Sequence, residues 1–275
     1  MTSTSIGILS WKAHDTLFKT LDSYARAELK SLFDEAVIHF NARSAEDDAL
    51  AARYGWTPAG DERNLGLLGG TEALAREMHG EFVLMLQNDC PLCVPADEAA
   101  AYLAAARELL ASGRADIVRC RHRWNPGQGF SDVSNYLKYY RPGGRKTLRG
   151  LLRPFKAKRM IGRSLYYEKR PDLIFPRHVR KDGDFFIADS SVINFTDQPF
   201  FIRRDFLLRL IDWANAHPKK RTLNGFQVLE LNLNCAWWRR QHYKIGVGEG
   251  IFTHARFDDS FRPSHAAFNA GISRC

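Results

Sequence analysis

The chain is 275 residues long, 45% hydrophobic and 26% charged, an ordinary balance for a soluble globular protein with a large core. No apolar run approaches the roughly 20 residues needed to span a bilayer, and the opening residues lack the basic start and apolar core of a signal peptide, so a cytoplasmic protein is expected. The net charge of +9 is uneven: residues 138–181 hold 15 Lys and Arg against Glu168 and Asp172, a local balance of +13 that leaves −4 for the rest of the chain.

In chain order, residues 6–11 read as a short apolar strand, and 14–24 carry Leu17, Leu21 and Tyr24 at helical spacing. Residues 36–41 are a second strand, followed by a helix over 45–54. Residues 62–70 form a glycine-rich turn leading into a helix through His79. The run Gly80-Glu81-Phe82-Val83-Leu84-Met85-Leu86 stops abruptly at Gln87-Asn88-Asp89-Cys90-Pro91, the pattern of a strand buried on both faces that ends at a polar turn. An alanine- and leucine-rich helix over 96–112 and a strand over 116–121 precede the basic segment, which reads as an insertion of loops and short helices. Strand pattern returns at Phe185 and runs through 200–203. Helices follow over 204–217 and about 225–241, and strands over 243–247 and 250–254. This alternation predicts one α/β domain over 1–275, with a mainly parallel central sheet flanked by helices and the 138–181 insertion within it.

Ligands of such sheets gather at the carboxyl ends of strands. A carboxylate there with an amide beside it, Asn88-Asp89, suits a hard divalent cation and the phosphates it carries. Cys90-Pro91-Leu92-Cys93 has no second cysteine pair or His cluster to complete a zinc site, and the other cysteines, Cys120, Cys235 and Cys275, are irregularly spaced. Reduced thiols are expected.

Four landmarks occur together: the early strand ending at Ser10-Trp11, the Asn64-x-Gly66 turn, the strand ending at Asn88-Asp89, and the late Gly248-Glu249-Gly250-Ile251-Phe252-Thr253-His254-Ala255-Arg256. With Thr16-Leu17-x-x-Thr20-Leu21-x-Ser23-Tyr24 after the first strand, and Ala73 followed by Gly80-Glu81-Phe82-Val83-Leu84, the chain resembles nucleotide-sugar-dependent glycosyltransferases of the GT-A fold. The resemblance covers about residues 5–93 and 185–258 and leaves the basic insertion unmatched. The family's acidic motif usually has two acidic residues, whereas Gln87-Asn88-Asp89-Cys90 offers one.

The resemblance implies transfer of a sugar from a nucleotide-diphosphate donor, a UDP-sugar before a GDP-sugar, to a glycan or lipid-linked acceptor in cell-surface polysaccharide or lipopolysaccharide synthesis. Mn²⁺ or Mg²⁺ would be held by Asp89 and His254, and the imidazole favours Mn²⁺. Ser10, Trp11, Asn41, Asn64, Gly66, Asn88 and Asp89 would line the donor site. An inverting reaction needs a general base; Glu230 is the candidate, Glu249 and Asp189 are reserves, and Asp197-Gln198 would face the acceptor. A Glu230 paired with Arg239 on a solvated helix is the structural alternative.

Cations interleaved with aromatic and aliphatic residues at 136–141 and 148–156 suit an anionic membrane surface at the inner face of the membrane, ahead of a solvated face or nucleic acid. Two other functional classes compete with the transferase. One is a non-catalytic anionic-surface or nucleic-acid-binding protein on an α/β scaffold. The other is a sugar-nucleotidyl transferase, which would carry a glycine-rich basic loop after the first strand where Ser10-Trp11-Lys12-Ala13-His14 stands. The meeting or separation of Asp89 and His254 discriminates transferase from binding protein.

Overall fold

The computed structural model describes residues 3–257; Cys275 lies outside them. Nine strands make one sheet in the order β3-β2-β1-β4-β8-β5-β9-β7-β6. They are β1 (Thr4–Ser10), β2 (Glu35–Phe40), β3 (Thr57–Ala59), β4 (Phe82–Gln87), β5 (Ile117–Arg121), β6 (Val179–Asp182), β7 (Phe185–Asp189), β8 (Phe200–Arg203) and β9 (Lys244–Phe252). β1 to β4 are mutually parallel where they pair, and so are β5 and β9. β8 lies antiparallel between β4 and β5, and β7 and β6 add an antiparallel edge. The sheet is therefore mixed, with its parallel half at the nucleotide-binding end that the sequence pointed to.

The helices are α1 (His14–Arg26), α2 (Ala45–Arg53), α3 (Gly66–Glu77), α4 (Ala96–Ala111), α5 (Asp132–Leu137), α6 (Leu148–Leu152), α7 (Pro154–Lys158), α8 (Pro171–Ile174), α9 (Arg204–Ala216), α10 (Leu229–Leu233) and α11 (Ala236–Gln241). Among the described residues no helix is long and apolar enough to cross a membrane. Alternate residues of β4 feed two cores. Phe82, Leu84 and Leu86 pack with Leu17, Leu21, Tyr24 and Leu103 of α1 and α4. Val83 and Met85 pack with Leu74, Leu207 and Leu210 of α3 and α9 on the other face. Double coverage explains why β4 is apolar without alternation.

Local departures from the sequence reading have physical causes. The glycine-rich turn ends early: α3 begins at Gly66, so Gly69 and Gly70 lie inside it. A Cβ on Gly70 would come 2.7 Å from the Leu9 side chain, so the glycine lets α3 lie close over β1. The helix expected over 225–241 is broken into α10 and α11, because the Asn234 side chain accepts from the Phe195 amide (2.8 Å) and donates to the Phe195 carbonyl (3.0 Å). The two last strands are one, β9, whose register shifts around Gly250 at φ +80°. The basic segment also contributes β6 to the sheet.

The turn after β4 is fastened from α1. Thr20 Oγ1 donates to the Asn88 carbonyl (2.7 Å) and the buried Tyr24 hydroxyl donates to the Cys90 carbonyl (2.5 Å). Tyr24→Phe keeps the ring but strands a buried carbonyl, and the expected loss is about 1–3 kcal/mol. Urea denaturation measures it; an unchanged midpoint with unchanged slope would show that water replaces the hydroxyl.

Candidate active site

The carboxyl edge of the parallel strands gathers most of the residues singled out from sequence. Ser10 ends β1, Asn41 follows β2, and Asn88 and Asp89 follow β4, with Asn88 Nδ2 donating to Ser10 Oγ at 3.4 Å. Trp11 is half exposed at the same edge. Asn41 is buried and its amide already works for the fold: Nδ2 donates to the Gly66 carbonyl (3.1 Å) and Oδ1 accepts from the Leu65 amide (3.2 Å). Asn64 Oδ1 accepts from the Gly66 amide at 2.9 Å. Asn41 and Asn64 thus shape the loop entering α3. Gly66 sits at φ +69°, and a Cβ there would fall 2.3 Å from the Phe226 ring, so the 223–228 loop lies directly over this turn.

Asp89 and His254 meet. Asp89 is 1% exposed, and its Oδ2 lies 3.1 Å from His254 Nε2 and 2.9 Å from Arg256 Nε. The chain after β9 is held in place by backbone bonds: Ala255 donates to the Asp89 carbonyl (2.8 Å), Thr253 to Pro91 (3.1 Å) and His254 to Pro126 (3.3 Å), while Gln128 donates to the His254 carbonyl (2.8 Å). Gly127, at φ +73°, makes that approach possible, since a Cβ there would stand 2.2 Å from the His254 carbonyl oxygen. Burial would raise the Asp89 pKa, yet hydrogen bonds and charge from His254 and then Arg256 hold it down at about 2.

A divalent cation fits this donor set in part. One ionised carboxylate and one imidazole stand together, and His254 Nδ1 is buried without a hydrogen-bond partner. Among the described residues no cluster of three His, Cys, Asp or Glu completes a cage. The remaining coordination has to come from phosphate oxygens and water, the usual manner for a nucleotide-borne metal. Arg256 occupies the carboxylate meanwhile. It belonged to the last sequence landmark but was given no role there, because nothing in its spacing shows that its side chain turns back on Asp89.

The second centre is a pair of carboxylates. The Asp197 amide donates to Glu230 Oε2 (3.4 Å) and the Glu230 amide donates to Asp197 Oδ2 (3.3 Å). Asp197 Oδ1 is buried without a partner. Burial, then the charge of Glu230, pushes Asp197 up to about 8, and burial also raises Glu230. Gln87 Nε2 donates to the Asp197 carbonyl (3.3 Å), tying this pair to the end of β4. Glu230 lines a cleft of about 220 Å³ with Arg119, Arg121, Asp132, Arg163 and Tyr166; Asp89 is not in its wall. Arg239, the alternative partner of Glu230, instead donates to Asn194 Oδ1 at 2.7 Å. Neither reserve base joins the cleft. Asp189 pairs with His242 (3.2 Å) opposite the start of β9, at the far edge from His254, and Glu249 is exposed on the β9 bulge. Cys90, Cys93, Cys120 and Cys235 are all free thiols.

No family model matches the chain, and no curated protein matches it. Solved structures do. The glucosyl-3-phosphoglycerate synthase of Mycobacterium tuberculosis, in complex with Mn²⁺, UDP and phosphoglyceric acid, superposes with a TM-score of 0.52 at 13% identity, over 98% of this chain and 75% of that one. S. aureus TarS 1–349 with UDP-GlcNAc gives 0.51 at 13% identity, over 94% and 60%. The mannosyltransferase PcManGT from Pyrobaculum calidifontis, with GDP-Man and Mn²⁺, gives 0.50 at 12% identity, over 97% and 59%. The chain thus spans about 60% of the length of the latter two.

The Asp89 carboxyl, held below its unfolded value, adds stability that is in place above about pH 4 and is lost as pH falls toward 2, of the order of 2 kcal/mol. Denaturation of wild type and Asp89→Asn between pH 7 and pH 2 should show a gap of that order that closes below about pH 3. A gap independent of pH would mean that His254 and Arg256 do not hold the charge. The fold, with its parallel β3-β2-β1-β4 half and the strand-end acid, is that of the GT-A-type nucleotide-sugar glycosyltransferases.

Proposed function

We propose that the chain is an inverting glycosyltransferase that moves a sugar from a nucleotide-diphosphate donor to a glycan or lipid-linked acceptor, in cell-surface polysaccharide or lipopolysaccharide synthesis at the inner face of the membrane. The observation that carries this reading is the meeting of Asp89 with His254 and Arg256 beside the carboxyl ends of β1, β2 and β4. The complexes of the three similar structures, with UDP-GlcNAc, with GDP-Man and Mn²⁺, and with UDP and Mn²⁺, support a nucleotide-sugar donor and a divalent cation.

In this reading Ser10, Trp11, Asn64 and Asn88 face the nucleoside, with Asn41 and Gly66 keeping the turn that contacts it. Asp89 and His254 hold Mn²⁺ or Mg²⁺, which when bound offsets charge on the leaving diphosphate. Arg256 gives up the Asp89 carboxylate and supplies a second positive charge to the phosphates. Glu230 takes the acceptor hydroxyl proton as that oxygen bonds to the anomeric carbon, and the bond to the diphosphate breaks with its electrons on the phosphate oxygen. The raised pKa of the Glu230–Asp197 pair fits a base that must hold a proton after the step.

Donor hydrolysis by the purified protein, with and without Mn²⁺, tests the class of reaction. Asp89→Ala should abolish transfer in a folded protein, since several kcal/mol of charge stabilisation leaves with the ion. Near-normal turnover by that variant would remove the core of the proposal. Glu230→Gln should lower kcat by about 10²–10⁴-fold with donor binding kept. Asp197→Asn should move the acid limb of the pH–rate profile down by roughly one unit by removing the neighbouring carboxyl. A loss of donor affinity with turnover intact would make Glu230 a binding residue.

A further inference from the structure

The basic insertion packs inside out. In α6 and α7 the residues turned inward are the small ones, Gly150 and Ala157, both buried. A Cβ on Gly150 would meet the Tyr139 carbonyl oxygen at 2.3 Å, so α6 is pressed against the body along its glycine. The large apolar side chains point away: Leu148 is 72% exposed, Leu151 62%, Leu152 73% and Phe155 83%. Four such residues within eight positions are not scattered surface hydrophobics but one patch.

The charge around the patch has one sign. Residues 138–158 contain Lys138, Arg141, Arg145, Lys146, Arg149, Arg153, Lys156 and Lys158 and no acid. Arg149 lies over the Tyr139 ring at 5.3 Å from its centroid, and Thr147 Oγ1 caps α6 by accepting from the Gly150 amide at 3.2 Å. The patch is therefore held in shape, with its cations free of carboxylate partners among the described residues.

We infer that α6 and α7 are a docking face for an anionic phospholipid surface, with Leu148, Leu151, Leu152 and Phe155 entering the headgroup–acyl boundary and Arg149, Arg153 and Lys156 binding lipid phosphates. Exposed apolar area alone would suit another protein or a second copy. A ring of eight cations without an acid fits a surface whose charge is negative and whose interior is apolar. The inference deepens the membrane-face placement proposed above and is independent of the transfer chemistry, because none of these residues lines the Glu230 cleft.

Flotation of the full chain with vesicles of phosphatidylcholine alone and of phosphatidylcholine mixed with phosphatidylglycerol tests it, with hydrolysis of free donor followed in parallel. Binding should be confined to the anionic vesicles and largely lost between about 0.1 M and 1 M salt, as the Debye length falls from about 10 Å to about 3 Å. Arg149→Ser/Arg153→Ser/Lys156→Ser should weaken it roughly a hundredfold, at about 1 kcal/mol per basic residue. Leu151→Ser/Leu152→Ser/Phe155→Ser should weaken it at least about tenfold and leave folding and donor hydrolysis unchanged, because these side chains are already in water. Equal binding to both vesicle types, none to either, or no effect of the leucine and phenylalanine changes would overturn the inference. So would a concentration-dependent dimer abolished by them, or tighter binding to RNA than to lipid.

Discussion

A carboxylate with one hundredth of its surface in water gives up its charge unless cations stand beside it, and at Asp89 two groups do. His254 and Arg256 come from the far end of the sequence, so the interaction needs the whole sheet. β4 must end where it does, α1 must hold the following turn by Thr20 and Tyr24, and β9 must run between that turn and residues 126–128. The price of a misplaced strand end is an unpaired buried charge rather than a lost surface contact. The same three groups are the ones on which donor chemistry would act, so the constraint that fixes the fold and the constraint that fixes the site coincide.

A second electrostatic frame lies along β5. Arg119, Arg121 and Arg123 alternate on one face, are all buried, and use backbone carbonyls as acceptors: Asn194 for Arg119, Pro126 and Gln128 for Arg121, Leu165 and Glu168 for Arg123. Burial lowers the pKa of Arg121 and of Arg123. Carbonyl dipoles satisfy the guanidinium protons without cancelling the charge. The cleft beside Glu230 is therefore floored by positive potential, which moderates the rise that burial imposes on that carboxyl. These arginines also bind the insertion to the sheet, since Leu165 and Glu168 lie within it.

Much of this was legible in the sequence wherever period and length carried the signal. The unbroken apolar run of β4 announced a strand covered on both faces, and Asp89 at its end announced a ligand edge. His254 became legible only through the resemblance, since a lone histidine after an apolar run has no pattern of its own. Three things could not be read. The reciprocal Asp197–Glu230 bonds join residues whose separation no helix or strand period relates. The break between α10 and α11 is imposed by Asn234 reaching to Phe195, a tertiary contact that overrides a continuous helical pattern. β3 and β6 are three- and four-residue edge strands, and Pro58 in β3 is tolerated only because that edge is outermost.

The place of β9 in the sheet bears on how the molecule is made. It is the last strand in the sequence, yet it lies between β5 and β7 and parallel to β5, so the sheet stays divided until it arrives. During synthesis β1 to β4, and β8 with β5, can pair ahead of it, but β7 has no neighbour except β6 until β9 leaves the ribosome. A parallel strand inserted late closes a long loop before its contacts reward it, which makes assembly slow and leaves strand edges open meanwhile. Since His254 follows that strand directly, a nascent or truncated chain lacking β9 would be at once an unfinished sheet and an enzyme without its charge-holding partner for Asp89.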